Sequence, residues 1–406
     1  MLIVQKFGGS SVANKERIYN VAGRIVEQHK AGHSLVVVLS AQGDTTDDLI
    51  EKAKEITNNP SKREMDMLIS TGEQQSVALM AMAIHALGYP AISLNANQIG
   101  MFTTSNHSSA RINRINSERI NTELERNNIV IIAGFQGFNR YGDITTLGRG
   151  GSDTSAVALA AALGADLCEI YTDVDGVYTA DPRVVKNARK MNEISYDEML
   201  ELASLGAKVL HNRSVELAKK YNVKLVVRSS LSLEEGTIVK EDSKMEKMFV
   251  SGLAVDKDVA GISLMGMDDV PGIAFKVFSI LAKQKVAVDI ILQSVKRDGK
   301  IDISFTVAGG DLEEAMRIIE QNKGIINYIS VACDENIAKL SIVGAGMVSN
   351  SGVASELFEA LYDAGANIQL ISTSEITITV VVSEKDVDKA ANYVHDKFFA
   401  SSDNKQ

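Results

Sequence analysis

Over the first 240 residues, short apolar runs alternate with helical patterns. Continuous apolar runs at Leu2–Gln5, Leu35–Ser40, Ala91–Leu94, Ile129–Phe135, Cys168–Thr172 and Val223–Arg228 predict strands buried on both faces. Between the first two, Ile18, Val21, Ala22, Ile25 and Val26 recur at the spacing of one helix face. A second helical pattern runs from Glu64 to Leu87. This alternation predicts an α/β fold with a mostly parallel sheet and helices on both faces. Such sheets bind small molecules at the carboxyl ends of their strands.

The pattern changes near residue 240. The charged stretch Glu241–Lys247 precedes an internal repeat, in which Pro271–Leu281 aligns with Ser351–Leu361 at an offset of 80 residues. At the same offset Val286–Ile291 meets Ala366–Ile371, and after a shorter turn the alternating strand Ile301, Ile303, Phe305, Val307 matches Ile376, Ile378, Val380, Val382. Each copy reads strand–helix–strand–strand–helix–strand, a ferredoxin-like order. The first copy ends with a predicted strand over Ile325–Cys333, whereas the second ends with the helix Lys385–Phe399 and lacks a fourth strand. The unassigned run Phe249–Val255 is predicted to supply it, which inserts the first copy within the second. The expected domains are 1–240, a linker 241–248, 259–335, then 249–258 with 336–400, and a tail 401–406.

Composition narrows the class. A chain of 406 residues, 45% hydrophobic and 23% charged, suits two or three globular domains. The net charge of −10 argues against nucleic-acid partners. No apolar run reaches membrane length and no leader pattern opens the chain, so a cytoplasmic protein is expected. Cys168 and Cys333 stand far apart on apolar runs and read as buried free thiols. The histidines form no pair at metal-ligand spacing, so no protein-bound metal is assigned.

The chemistry concentrates where predicted strands end. Lys6-Phe7-Gly8-Gly9-Ser10-Ser11-Val12 follows the first strand and precedes a helix, an arrangement that offers N–H groups and an ammonium to phosphate. Taken alone, it reads better as a tight strand-to-helix turn. Thr145–Ser155 holds Arg149, Gly150, Gly151, Ser152 and Asp153, then opens an alanine- and leucine-rich helix. That loop suits something small and negative, since Arg149 presents a planar fork. Ser40–Asp47, with Thr45, and Thr172–Arg183, with Asp173, Tyr178 and Asp181, follow further strands. Glu73 lies in the helical stretch, where a solvated carboxylate is the ordinary reading.

Taken together, these motifs resemble the aspartokinases over nearly the whole chain. Lys6–Val12, Ser70-Thr71-Gly72-Glu73, Thr145–Thr154, Tyr171–Arg183 and Gly206–His211 match that family's segments in order, and the repeat resembles its tandem ACT domains. His211-Asn212-Arg213-Ser214 and His107-Ser108-Ser109-Ala110-Arg111 depart from the family's usual His-Pro-Arg-Ala and His-Gly-Asn-Ala-Arg. The resemblance implies phosphoryl transfer from MgATP to the side-chain carboxylate of L-aspartate, the first step of lysine, threonine and methionine biosynthesis. It implies Lys6 and Asp153 as catalytic residues. Lys6, Phe7, Gly8, Gly9, Ser40, Thr172, Asp173, Tyr178, Asp181, Arg183 and Lys208 are expected at ATP. Thr45, Glu73, Arg149, Gly150, Gly151 and Ser152 are expected at aspartate, with Mg²⁺ held mainly by phosphates and water. Lysine or threonine, or both, are the implied effectors, at Asp269, Gly272, Ile273, Ala274, Gln293, Asn367 and Ile368. A homo-oligomer is expected, and a separately translated regulatory chain starting at Met245 or Met248 is a further expectation. Another amino-acid kinase and a non-catalytic amino-acid sensor are the competing readings.

Overall fold

A computed structural model describes residues 1–207, 209–241, 250–345, 347, 350 and 352–400. Lys208, most of the expected linker, Phe249, Ser351 and the tail lie outside the described residues. The chain divides into two compact units, Met1–Tyr178 with Lys190–Ser204 and Lys208–Met245, and Thr179–Arg189 with Leu205–Ala207 and Glu246–Gln406.

The first unit runs β1 (Leu2–Phe7), α1 (Lys15–Lys30), β2 (Ser34–Leu39), α2 (Thr45–Ile56), α3 (Lys62–Ile69), α4 (Thr71–Ala86) and β3 (Ala91–Leu94). It continues through β4 (Phe102–Thr103), β5 (Ile112–Arg114), α5 (Glu118–Glu125), β6 (Ile129–Ala133), β7 (Gln136–Phe138) and β8 (Ile144–Thr146). After these come α6 (Gly151–Leu163), β9 (Leu167–Thr172), β10 (Glu193–Ser195), α7 (Tyr196–Ser204), α8 (Asn212–Tyr221), β11 (Leu225–Ser229) and β12 (Thr237–Lys240). Eight strands form the main sheet in the order β10-β12-β11-β9-β1-β2-β6-β3, parallel except where β11 meets β12. Ile3, Phe7, Leu35 and Leu39 share one core with the apolar faces of α1 and α4. Val4, Val36 and Val38 are equally buried outside that cluster, so both faces of the sheet are covered.

The topology fixes where a ligand can sit. From β1 the chain passes to β2 on one side, while from β9 it reaches β11 on the other. The carboxyl ends of β1 and β9 therefore bound a switch point, the crevice that open parallel sheets use for binding. Beside it lies a small sheet, β5-β4-β7-β8, which the apolar pattern did not predict because its strands are two or three residues long.

Two local expectations are corrected. The pattern over Glu64–Leu87 is two helices, α3 and α4, joined at Ser70. Ser70 keeps helical dihedrals, which is why the periodicity runs through, but its carbonyl accepts from the buried Gln136 side chain at 3.0 Å. The β6 run stops at Ala133, and Phe135 adopts φ 68°.

The second unit contains β13 (Gly252–Asp256), β14 (Ala260–Asp268), α9 (Ile273–Lys283), β15 (Ile291–Gln293), β16 (Lys300–Val307), α10 (Leu312–Gln321), α11 (Lys323–Ile326) and β17 (Ser330–Asp334). It closes with β18 (Ile337–Val343), α12 (Val353–Ala364), β19 (Leu370–Thr373), β20 (Thr377–Ser383) and α13 (Glu384–Phe399). The first repeat's sheet is β15-β16-β14-β17 and the second's is β13-β18-β20-β19. Gly252–Asp256 pairs antiparallel with Lys339–Val343, so the first repeat is inserted in the second. The stretch predicted as a strand from Ile325 begins instead with the short helix α11, and β17 starts at Ser330; on this edge strand Cys333, expected buried, is exposed.

The two repeats meet through Val259, Ile290, Ile337 and Val381. Lys339 Nζ, nearly buried, ties them further by contacts of 2.6 Å to Asp289 Oδ2 and 3.1 Å to Asp256 Oδ2. Thr179–Arg189 also folds here, although the sequence places it in the stretch 1–240. Ala180 and Val185 enter the second repeat's core, Leu253 N donates to Thr179 O at 2.7 Å, and Thr179 Oγ1 lies 2.9 Å from His395 Nε2.

Candidate active site

Three loops of the first unit and the start of α4 converge at the switch point. The loop after β1 turns on Gly8 and Gly9. Gly8 N donates to Tyr171 O at 3.3 Å, bringing the ends of β1 and β9 together. A Cβ on Gly9 would stand 2.6 Å from Ala41 O, so only glycine lets this loop lie against the one after β2. That second loop reaches the start of α4, where Ala41 N donates to Glu73 Oε1 at 3.2 Å. Gly72 makes room for it, since its Cβ would stand 2.8 Å from Ala41 Cβ.

The third loop carries Arg149 into α6. Gly150 adopts φ 64°, and any side chain there would reach to 2.3 Å from the His211 ring. The loop thus accepts glycine alone, on grounds of both conformation and space. Ser152 packs against Gly134 at the end of β6. Asp153 Oδ1 stands 2.6 Å from Lys6 Nζ, both residues being 9% exposed. The contact is ionic, its angle falling outside hydrogen-bond geometry. Lys6 is thereby aimed at the switch point by a carboxylate from the first turn of α6.

Glu73 is 3% exposed. Burial pushes its carboxyl up to about 7, against the opposing pull of backbone N–H groups including that of Ala41. Its Oε2 has no partner among the described residues, which leaves one acceptor open. Arg149 is exposed and makes no ion pair with a described residue. Thr45 begins α2, its Oγ1 donating to Gln42 O at 2.6 Å, and its methyl lies close to Gly72.

Lys6, Phe7, Gly8, Gly9, Ser40, Thr45, Glu73, Gly150, Gly151, Ser152 and Asp153 therefore belong to one set of abutting strand ends, loops and helix starts, with Arg149 on the turn that enters α6. Thr172 and Asp173 lie at the end of β9, with Thr172 Oγ1 donating to Asp173 Oδ1 at 3.0 Å. Tyr178 OH donates to Asp175 Oδ1 at 2.9 Å, and burial followed by that carboxylate raises the phenol. Asp181 and Arg183 fold with the second unit and pair with each other, which holds the Asp181 carboxyl below its ordinary range. Sequence reasoning missed Ser230, whose hydroxyl accepts from Ser11 at 2.8 Å and whose N donates to Thr172 O at 3.0 Å. The signal was its place at the end of the predicted strand Val223–Arg228.

In the second unit, Asp269 pairs with Lys296 at 3.0 Å, and Gly272 turns into α9 at φ 88°. Ile273 is buried in the first repeat's core, with Ala274 packed against it. Gln293 and Asn367 are exposed. Ile368 packs on the second repeat's own core rather than in the cluster joining the repeats. Among the described residues no group of three or more His, Cys, Asp or Glu is placed to hold a metal ion, and no helix is long and apolar enough to cross a membrane.

Comparison with known proteins bears on this geometry. Residues 1–229 match the amino acid kinase family, and residues 262–322 and 340–398 match an ACT domain. The aspartokinase of Bacillus sp. strain MGA3 is 50% identical over 398 residues, covering 98% of this chain and 97% of its own. The chain belongs to the aspartokinase family. Its fold is also that of E. coli aspartokinase III in complex with aspartate and ADP, in the R state, with a TM-score of 0.83 at 26% identity. That match covers 98% of this aspartokinase and 100% of the E. coli chain. The same E. coli enzyme in complex with lysine and aspartate, in the T state, gives a TM-score of 0.79 at 25% identity over 98% of this chain and 99% of that one.

Proposed function

We propose that this aspartokinase phosphorylates the side-chain carboxylate of L-aspartate to 4-phospho-L-aspartate, with the loops around the β1–β9 crevice holding both substrates. The observation that carries the reading is the Lys6–Asp153 pair at the end of β1, with Glu73 joined to the same loops through Ala41. A carboxylate oxygen of aspartate attacks the γ-phosphorus, the bond to the β,γ-bridging oxygen breaks, and ADP leaves. No proton need be removed, because the nucleophile is already ionised at neutral pH. What the reaction needs is cations and N–H donors where two anions meet.

Lys6 supplies the charge on the transferring group, Gly8 and Gly9 offer backbone N–H groups, and Asp153 orients Lys6. Ser40, Phe7, Thr172, Asp173 and Tyr178 line the nucleotide. For Asp181, Arg183 and Lys208 the same assignment rests on the sequence motif alone. Mg²⁺ would be held by phosphate oxygens and water and would neutralise phosphate charge there. Arg149 takes the α-carboxylate of aspartate through its fork. Glu73 takes the α-ammonium on its open oxygen, with Thr45, Gly150, Gly151 and Ser152 around the substrate.

Glu73 gives this reading a pH signature. Its carboxyl, held up to about 7 by burial, is neutral below that pH and cannot pair with an ammonium. kcat/KM for aspartate should therefore rise between about pH 6 and 8 and then level, while kcat/KM for ATP stays flatter. Glu73→Gln should remove the step. A flat aspartate profile in the wild type would exclude Glu73 as the ammonium site.

The pathway proposed is the one that makes lysine, threonine and methionine, and the protein is read as cytoplasmic. Control by lysine, threonine or both is proposed at the repeats, through Asp269, Gly272, Ile273, Ala274, Gln293, Asn367 and Ile368. Support comes from the helix N-terminus that Gly272 opens and from the lysine complex of the E. coli relative. Initial rates against added lysine and threonine test it: inhibition by one or by the pair is expected, and none under either would refute it. Association of copies is proposed as well, supported by the exposed Phe275, Val295 and Ile329 of the first repeat.

A further inference from the structure

Asp66 has no part in the assignments above, yet its side chain is fully buried. A buried carboxylate is tolerated only where donors surround it. Asp66 Oδ1 accepts from Thr146 Oγ1 at 2.6 Å and from Ser108 N at 3.1 Å. Its Oδ2 accepts from Ser108 N at 3.0 Å and faces His107 Nδ1 at 2.8 Å. A carboxylate offers no donor, so the ring proton of His107 points at it. One side chain on α3 thus binds two segments that the sequence separates widely.

Those segments frame the aspartate loop. Ala110 N donates to Thr146 O at 2.9 Å, which lays residues 107–111 beside the end of β8. Arg213 closes the other side, donating to Leu147 O at 2.9 Å and to Ala110 O at 2.8 Å. The turn then passes Gly148, whose Cβ would stand 3.0 Å from Ser108 O, and reaches Arg149. Ser108 itself adopts φ 66°, a left-handed conformation unfavourable for serine. The double hold of Asp66 on its N–H keeps it there. Arg149, exposed and without a described ion-pair partner, takes its position from the backbone of this turn. Asp153 is held differently: it pairs with Lys6, and the first turns of α6 are tied to the end of β6 by Phe135 N, which donates to Ser155 Oγ at 3.1 Å.

We propose that Asp66 is a positioning residue for aspartate: through Ser108 and Thr146 it sets the Leu147–Arg149 turn and hence the placement of Arg149. The inference rests on the reading that Arg149 holds the substrate carboxylate. It separates the two substrates, since the Lys6–Asp153 side does not depend on this turn.

Steady-state kinetics of Asp66→Asn in the full chain tests it. The aspartate KM should rise about tenfold or more, the ATP KM should stay within about twofold, and the melting temperature reports folding separately. Ser108→Gly added to Asp66→Asn removes the left-handed penalty and should recover part of the lost aspartate affinity. Thr146→Val should give a smaller shift in the same direction, and Thr146→Ser less than a third of that. A folded Asp66→Asn with wild-type aspartate KM, or with both KM values rising together, overturns the proposal. If Asp66→Asn does not fold, Thr146→Val decides on the same criteria. Arg149→Lys assayed alongside keeps the two readings apart. A rise there with none in Asp66→Asn sinks only the positioning role. A selective rise in Asp66→Asn with none in Arg149→Lys retains a positioning role but assigns the clamp to another group.

Discussion

Lys6→Ala should lower kcat by about 10²–10³-fold while changing both KM values by only about a few-fold. The ammonium stands at the end of β1, 2.6 Å from Asp153 Oδ1, at the mouth of the crevice between β1 and β9. Negative charge builds on the transferring phosphoryl group in the transition state, and a fixed cation there lowers the barrier more than it strengthens ground-state binding. The loss should therefore fall on turnover. Removing Lys6 also leaves Asp153 in the crevice as an anion facing phosphates, which adds to the effect. Steady-state kinetics on the purified variant, with melting temperature as a control for folding, checks this. Turnover equal to the wild type would remove Lys6 from the chemistry.

Arg149→Lys should raise the aspartate KM by about 10–100-fold, the range for losing a charged two-point contact, and leave the ATP KM nearly unchanged. An ammonium keeps the charge and loses the fork, so the substitution isolates geometry from electrostatics. The exposed position of Arg149 separates the change from folding: melting temperature should stay within about 2 °C of the wild type. A shift confined to the ATP KM would mean that the two substrate regions have been exchanged.

Much of this was legible in the chain. Strands buried on both faces leave continuous apolar runs, so β1, β2, β3, β6 and β9 stood out to within a residue or two. The missing strand of the second repeat was legible by subtraction, and Gly252–Asp256 fills it. The convergence of the candidate loops was readable because they follow those strands and carry glycines where loops abut.

The failures have physical causes. Ser70 interrupts a helix without altering its periodicity, because the break is made by Gln136 from a distant strand. Ala180 and Val185 sit in a stretch contiguous with motifs expected at ATP, yet their burial is in the second repeat's core. Asp66 resembles any helical carboxylate in sequence. Its role arises from Ser108 and Thr146, 42 and 80 residues away, and no local pattern signals such a contact. The one trace was the departure at Ser108, where a side chain stands in a position that needs φ 66°.

The account's central claim is that one crevice brings aspartate and ATP together for direct phosphoryl transfer. Trapping the acyl phosphate with hydroxylamine tests it most directly. With ATP and L-aspartate the purified protein should form aspartyl hydroxamate, with N-acetylglutamate it should form none, and Lys6→Ala should suppress the product. A folded wild-type protein that binds both substrates and yields no hydroxamate would contradict the claim.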